Sequence, residues 1–176
     1  MTTFITSDLH FYHKGVMNFC ASTRPWDNVD AMTEGLISHW NSLVSDSDTI
    51  YHLGDFAFAN KTKTRAVLDR LNGQKMFIMG NHDNHNKNVL SEYGEVFDYK
   101  WLRYEGFKIA LFHFPIVFWN EIDHGSLHFY GHTHNDYQHH GRSMDVGWDA
   151  HGRILTMDEA IDMVKDRPVV RRRDPR

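Results

Sequence analysis

Cysteine is almost absent from this 176-residue chain: Cys20 stands alone. No intrachain disulfide can form, so a reducing, cytoplasmic setting is expected. No apolar run approaches the length that spans a bilayer, which argues against a membrane partner. A charged-then-apolar leader is also lacking at the first residues. Excess positive charge is missing too. The formal net charge is -4, so nothing pulls the whole molecule toward nucleic acid or an anionic surface. Nor does any stretch read as a linker. Hydrophobic residues make up 41% and charged residues 24%, the balance of one soluble domain. That domain is expected over residues 1–167. Residues 168–176 form a basic tail with Arg171, Arg172, Arg173 and Arg176, expected to be solvated. Nucleic-acid contact through the tail is the alternative.

Histidine is what the chain has in plenty, 14 in all. Five of them fall in short motifs that also carry glycine, carboxylate or an apolar lead-in. The motifs are Asp8-Leu9-His10, Gly54-Asp55, Gly80-Asn81-His82-Asp83, His113 and Gly131-His132-Thr133-His134. Imidazole, carboxylate and amide oxygen are donors that divalent Mn, Fe, Co, Ni and Zn accept. Seven such donors exceed the need of one cation and suit two that share a carboxylate. Asp55 is the natural bridge. Taken singly, Asp-x-His is a common turn and Gly54-Asp55 is weaker still, while Gly80-Asn81-His82-Asp83 and Gly131-His132-Thr133-His134 are more specific; Asn84, Asn86 and Asn88 keep an asparagine-rich helix start as the alternative reading of the former. Arg24 is a candidate clamp for a phosphate, with pairing to an acid on the surface as the alternative. His52 sits inside a strand and reads as a satisfied core group or as a support for a ligand beside it.

Apolar periodicity places these motifs. Strands are expected at Thr3–Ser7, Thr49–Leu53 and Lys75–Met79, each running into a motif. Helices are expected at Gly15–Cys20, Val29–Val44, capped by Asp27 or Asn28, and Lys61–Leu71. That alternation is the rhythm of parallel α/β structure, whose sites lie beyond strand carboxyl ends. The second half reads as a hairpin, Tyr99–Tyr104 and Phe107–Phe112 around Glu105-Gly106, then strands at Ser126–Tyr130 and Arg142–Val146. Thr156 and Glu159 predict a capping box on a helix over Met157–Val164.

As a set, and in this order, the five motifs resemble the calcineurin-like metallophosphoesterase superfamily. The surrounding residues, Arg24-Pro25-Trp26 and His52-Leu53-Gly54-Asp55-Phe56 among them, resemble a compact bacterial and phage branch. The resemblance implies an α/β fold of two mixed β-sheets packed face to face, flanked by helices. It implies two divalent metal ions per chain, manganese first, with iron, nickel or zinc as alternatives. Asp8, His10 and His134 would hold one ion, Asn81, His113 and His132 the other, and Asp55 would bridge. Asn81 would also face the substrate phosphate. His82 would be catalytic, protonating the leaving oxygen. Many relatives carry an acid three residues after Gly-Asp to orient that histidine. Phe58 stands there in this chain, which leaves Asp83 to orient His82, or no acid at all.

The expected activity is hydrolysis of a phosphate ester, favoured as a diester of nucleotide or nucleic-acid origin because there is little room for a cap domain. A phosphomonoesterase is the alternative within the fold, and a non-catalytic protein-binding scaffold the alternative of another class. Oligomeric state is not legible.

Overall fold

The computed structural model describes residues 1–171. In chain order, β1 (Thr3–Thr6), α1 (Val16–Phe19), α2 (Val29–Leu43), β2 (Thr49–His52) and α3 (Lys61–Leu68) come first. They are followed by β3 (Gln74–Ile78), α4 (Lys87–Tyr93), β4 (Gly94–Phe97), β5 (Lys100–Tyr104) and β6 (Phe107–Leu111). The remainder is β7 (Leu127–Tyr130), β8 (Ser143–Asp145), α5 (Trp148–His151), β9 (Leu155–Thr156) and α6 (Met157–Val164).

These strands build two mixed sheets. The first has the order β4-β3-β2-β1-β9, with β1 to β4 parallel and β9 antiparallel on β1. The second has the order β5-β6-β7-β8, antiparallel at β5–β6 and parallel beyond. Parallel neighbours need a crossover, and α2, α3 and α4 supply it in the first sheet. The β5–β6 hairpin turns at Glu105 and Gly106, both with positive φ, as a tight two-residue turn requires.

Side-chain alternation along the strands sorts the core into layers. Ile5, Ile78, Ile109, Leu111 and Phe129 face one another across the two sheets, closed at one side by Met157, Ile161 and Val164 of α6. Their strand neighbours Phe4 and Phe77 point the other way, onto Met32, Leu36 and Trp40 of α2 and Val89 and Leu90 of α4. Ala110 faces outward on the second sheet, against Trp119, Ile122 and Val170. The result is a helix-flanked sandwich, the fold class expected from the motifs.

Local signals explain the helix limits. Asn28 caps α2 by accepting from the N–H groups of Asp30 and Ala31 (3.1 and 2.9 Å). The Thr156–Glu159 capping box is complete at the start of α6. Three features depart from expectation. The helix predicted to Leu71 ends at Leu68. β4, α5 and β9 have no counterpart in the periodicity, being short or at a sheet edge. His52 is buried, but both ring nitrogens lack a hydrogen bond among the described residues, so it is not a satisfied group. Its ring sits edge-on to Phe56, and burial pushes its pKa down to about 3. Arg172, Arg173 and Arg176 of the expected tail lie outside the described residues. Val170 packs on the Trp119 cluster rather than standing free. No described helix is long and apolar enough to cross a membrane.

Candidate metal centre

Each donor motif leaves the carboxyl end of a strand. Asp8 and His10 follow β1, Asp55 follows β2, Asn81 follows β3, His113 follows β6, and His132 and His134 follow β7. Parallel pairing brings these ends to one edge of the sandwich. Five of the seven donors, Asp8, His10, Asp55, His132 and His134, have left-handed backbone with φ between 46° and 69°. Such conformations cost energy and persist where the surroundings hold them, commonly at functional sites.

Glycine makes the close approach feasible. A Cβ at Gly80 would lie 2.2 Å from Asp55 Oδ1, and one at Gly131 would lie 2.3 Å from Asp8 Oδ2. Only hydrogen fits at either place.

The donors converge on Asp55 Oδ2. It lies 3.7 Å from His10 Nε2, 3.6 Å from His113 Nε2 and 3.9 Å from His82 Nε2. The other oxygen, Asp55 Oδ1, accepts from the His82 N–H (2.9 Å), so the inward one is left for a cation. Asn81 Oδ1 lies 3.1 Å from His113 Nε2. Among the described residues three groups emerge: Asp8, His10 and His134 on one side, Asp55, His113 and His132 on the other, and Cys20, Asp149 and the shared His134 behind the first. Within each, one donor atom per residue lies within 4.8 Å of the others.

Hydrogen bonds choose the histidine tautomers. His113 Nδ1 donates to Leu53 O (2.7 Å), which turns the Nε2 lone pair inward. His134 Nδ1 donates to Asp149 Oδ2 (2.7 Å), with the same consequence. Asp8 Oδ1 and His10 Nε2 are buried, 3.8 Å apart, and neither has a hydrogen-bond partner among the described residues. A carboxylate oxygen and an imidazole nitrogen left unpaired side by side are what a cation would satisfy. The donor set therefore fits two divalent metals.

Electrostatics agree. Burial disfavours charge on His113, yet the hydrogen bond and charge of Asp55, with Asp8 behind, outweigh it and lift its pKa to about 9. Burial raises Asp8 to about 7, only partly opposed by His113. Burial would also raise Asp55, but His113 and the His82 N–H hold it well below the usual carboxylate range. The centre is short of positive charge.

Two expected roles do not fit. Arg24 is no phosphate clamp: its side chain is fully buried, with Nε and Nη2 on Asp149 and Nη1 and Nη2 on the carbonyls of Leu9 and Asp8. Asp83 does not orient His82. Its carboxylate accepts from the N–H groups of Gly80, Asp55 and Phe56, locking the two motif loops together. Phe58 instead meets His82 edge-on at 5.4 Å. Two carboxylates outside the motifs, Asp145 and Asp149, hold donor residues. Asp145 binds Thr133 and Asn135 and so holds the last donor loop.

A cleft of about 560 Å³ opens over the centre, lined by His10, Asp55, Asn81, His82, His132, His134 and neighbours, with no lysine or arginine among them. His82, its side chain 38% exposed, also borders a second groove of about 390 Å³ with Phe58 on its wall.

Residues 1–147 match the calcineurin-like phosphoesterase superfamily domain. The chain belongs to this superfamily. Membership implies metal-dependent hydrolysis of phosphate esters. The chain is 31% identical to the gene 66 protein of Mycobacterium phage L5, over 92% of this chain and 93% of the phage protein. It is 40% identical over 114 residues to an uncharacterized protein of Methanocaldococcus jannaschii, covering 64% of this chain but only 58% of that relative's length. A solved structure from Aquifex aeolicus, titled a protein of unknown function, superposes with a TM-score of 0.72 at 25% identity. It covers 93% of this chain and 99% of its own.

Proposed function

We propose that this calcineurin-like protein is a dinuclear phosphodiesterase, with a nucleotide or nucleic-acid-derived alcohol as leaving group. One observation carries the reading: Asp55 Oδ2 lies at the focus of donors from the first two groups, with His82 at its rim. Asp8, His10 and His134 would hold one cation, Asn81, His113 and His132 the other, and Asp55 would be shared. Manganese is the first choice, with iron, nickel or zinc as alternatives, since all accept mixed nitrogen and oxygen donors. A pair of divalent ions supplies positive charge against the phosphate and makes water easier to ionise near neutral pH.

The chain's own groups do the rest. Asn81 lines the cleft, and its side-chain amide would offer an N–H to a phosphate oxygen bound there. His82 reaches the cleft from the Asp55 side, its backbone tied to Asp55 Oδ1 and its ring packed on His10, His13 and Phe58. It holds a proton at Nε2 for the departing oxygen. Among the described residues no carboxylate hydrogen-bonds its ring, and Asp55 Oδ2 lies 3.9 Å from Nε2, so ring packing does most to fix the orientation.

Two features favour a diester. The cleft has no fixed cationic side chain for the second charge of a monoester. The Phe58 groove gives the leaving alcohol a place next to the proton donor. A lone cysteine, with no partner for an intrachain disulfide, fits a cytoplasmic setting.

The test joins elemental analysis to turnover of bis(p-nitrophenyl) phosphate and p-nitrophenyl phosphate. We expect two metals per chain and preference for the diester. His82→Ala should retain the metals and lose roughly 10²- to 10⁴-fold in kcat. Faster monoester turnover would make the enzyme a monophosphatase. Two bound metals with no ester cleaved would favour a binding scaffold.

A further inference from the structure

Behind His134 lies a buried ionic assembly outside the proposed donor set. Asp149 Oδ2 accepts from His134 Nδ1 (2.7 Å) and Arg24 Nη2 (2.8 Å). Asp149 Oδ1 accepts from Arg24 Nε (3.0 Å) and Thr23 Oγ1 (2.5 Å). The same guanidinium donates to the carbonyls of Leu9 (2.9 Å) and Asp8 (2.7 Å). The side chains of Arg24 and Asp149 are 0% and 2% exposed. One buried fork therefore grips the backbone between Asp8 and His10 and, through Asp149, the ring of His134. These are the three donors of a single cation position, and they come from opposite parts of the chain.

The second position is braced by other groups: His113 Nδ1 donates to Leu53 O (2.7 Å), and Asp83 ties the Asp55 and Gly80 loops together. Among the described residues the ring nitrogens of His132 make no hydrogen bond, and its ring packs edge-on against His113 and Phe114. Asp149 and Arg24 thus serve one side of the centre.

We propose that Asp149 and Arg24 are positioning residues for the cation held by Asp8, His10 and His134. Asp149 fixes the His134 tautomer and ring plane, so the Nε2 lone pair faces the cation. Arg24 pins Asp149 and the Asp8–His10 backbone in one geometry. A partner carboxylate of this kind sets ligand orientation and commonly contributes 10- to 100-fold in metal affinity. Lysine cannot replace Arg24, because a single ammonium lacks the planar fork that spans two carboxylate oxygens and two carbonyls. The proposal rests on the two-cation reading of the cleft.

Titration of metal-stripped protein with Mn²⁺ alone, by calorimetry and electron paramagnetic resonance, tests it. The wild type should take two ions and show their magnetic coupling. Asp149→Asn and Arg24→Lys should keep one ion at unchanged affinity, weaken the other roughly 10- to 100-fold, and lose the coupling at substoichiometric metal. Two ions bound as tightly in Asp149→Asn as in the wild type would overturn the proposal. Binding of fewer than two by the wild type would instead strike the two-cation reading beneath it. Thermal melts of the stripped proteins show whether the variants fold. Should they not fold, the imidazole ¹⁵N spectrum of the Zn²⁺-loaded wild type decides. His134 protonated at Nδ1 supports the assignment, and protonation at Nε2 overturns it.

Discussion

Glycine and its neighbours set the tolerances of the centre at the scale of single residues. At Gly80 a methyl group would press on Asp55 Oδ1 and its N–H, both under 2.5 Å away. Gly80→Ala should therefore displace the shared carboxylate, and elemental analysis should find fewer than one metal per chain. Gly152 is the control: it also has positive φ (64°), but nothing lies within 4 Å of the added carbon. Gly152→Ala should lower stability by about 1–2 kcal/mol in urea and keep full metal content. Equal metal loss in both would dismiss the steric account. Phe58 makes a different kind of prediction. It is an exposed aromatic ring stacked on His13 and edge-on to His82. Phe58→Ala should raise KM for aryl diesters roughly three- to tenfold, the worth of one aromatic contact, with metal content unchanged. An unaltered KM would remove the groove from substrate binding.

Among elements, β7 carries a histidine whose chemistry is stability rather than catalysis. His128 Nδ1 donates to Ala110 O (3.1 Å), and Nε2 accepts from the Ile116 N–H (3.0 Å). Both nitrogens are used by the neutral ring, and protonation would break the second bond. Burial is the chief cause that lowers its pKa to about 4. A depressed pKa means the unfolded chain takes the proton first as pH falls. The contribution is therefore whole above pH 6.5 and is lost as pH drops through that value toward 4, at about 1.4 kcal/mol per pH unit. Urea unfolding of metal-stripped protein at pH 7, 6 and 5 should show this decline, and His128→Gln should flatten it by about one proton. Identical slopes would contradict the assignment.

Elements also show what periodicity can and cannot announce. α2 and α6 were legible because a capping side chain and a 3.6-residue apolar stripe agree over two or more turns. The strands that feed the donor motifs were legible from their apolar runs. β9 has two residues and exists only by pairing with β1. β4 sits at a sheet edge with no clean alternation. α4 lies where asparagine-rich spacing suggested a helix start as the alternative to a metal loop. Gly80–Asp83 is a loop, and the helix follows at Lys87.

For the whole molecule, the donors join seven places in the chain into one centre, so cations should stabilise the global fold. A ligand that binds only the folded state at 100 times its Kd adds about 2.7 kcal/mol. For a chain of this size, that raises Tm by roughly 5–10 °C per cation. Scanning calorimetry with Mn²⁺ and again after chelation should show this shift. An unchanged Tm would mean the donors do not bind metal in the folded protein.

The sequence by itself determined the class of chemistry and the kind of fold. Carboxylate, amide and imidazole at strand ends, next to glycine, carry their meaning in residue type and short spacing. Tertiary structure alone decided the partners. Arg24 looked like a phosphate clamp until folding laid it against Asp149, more than a hundred residues away, and buried both. Asp83 looked like the guide for His82 until three backbone N–H groups claimed it. Such roles depend on which groups a side chain meets once water is excluded. That is set by the packing of distant segments, which no local pattern encodes.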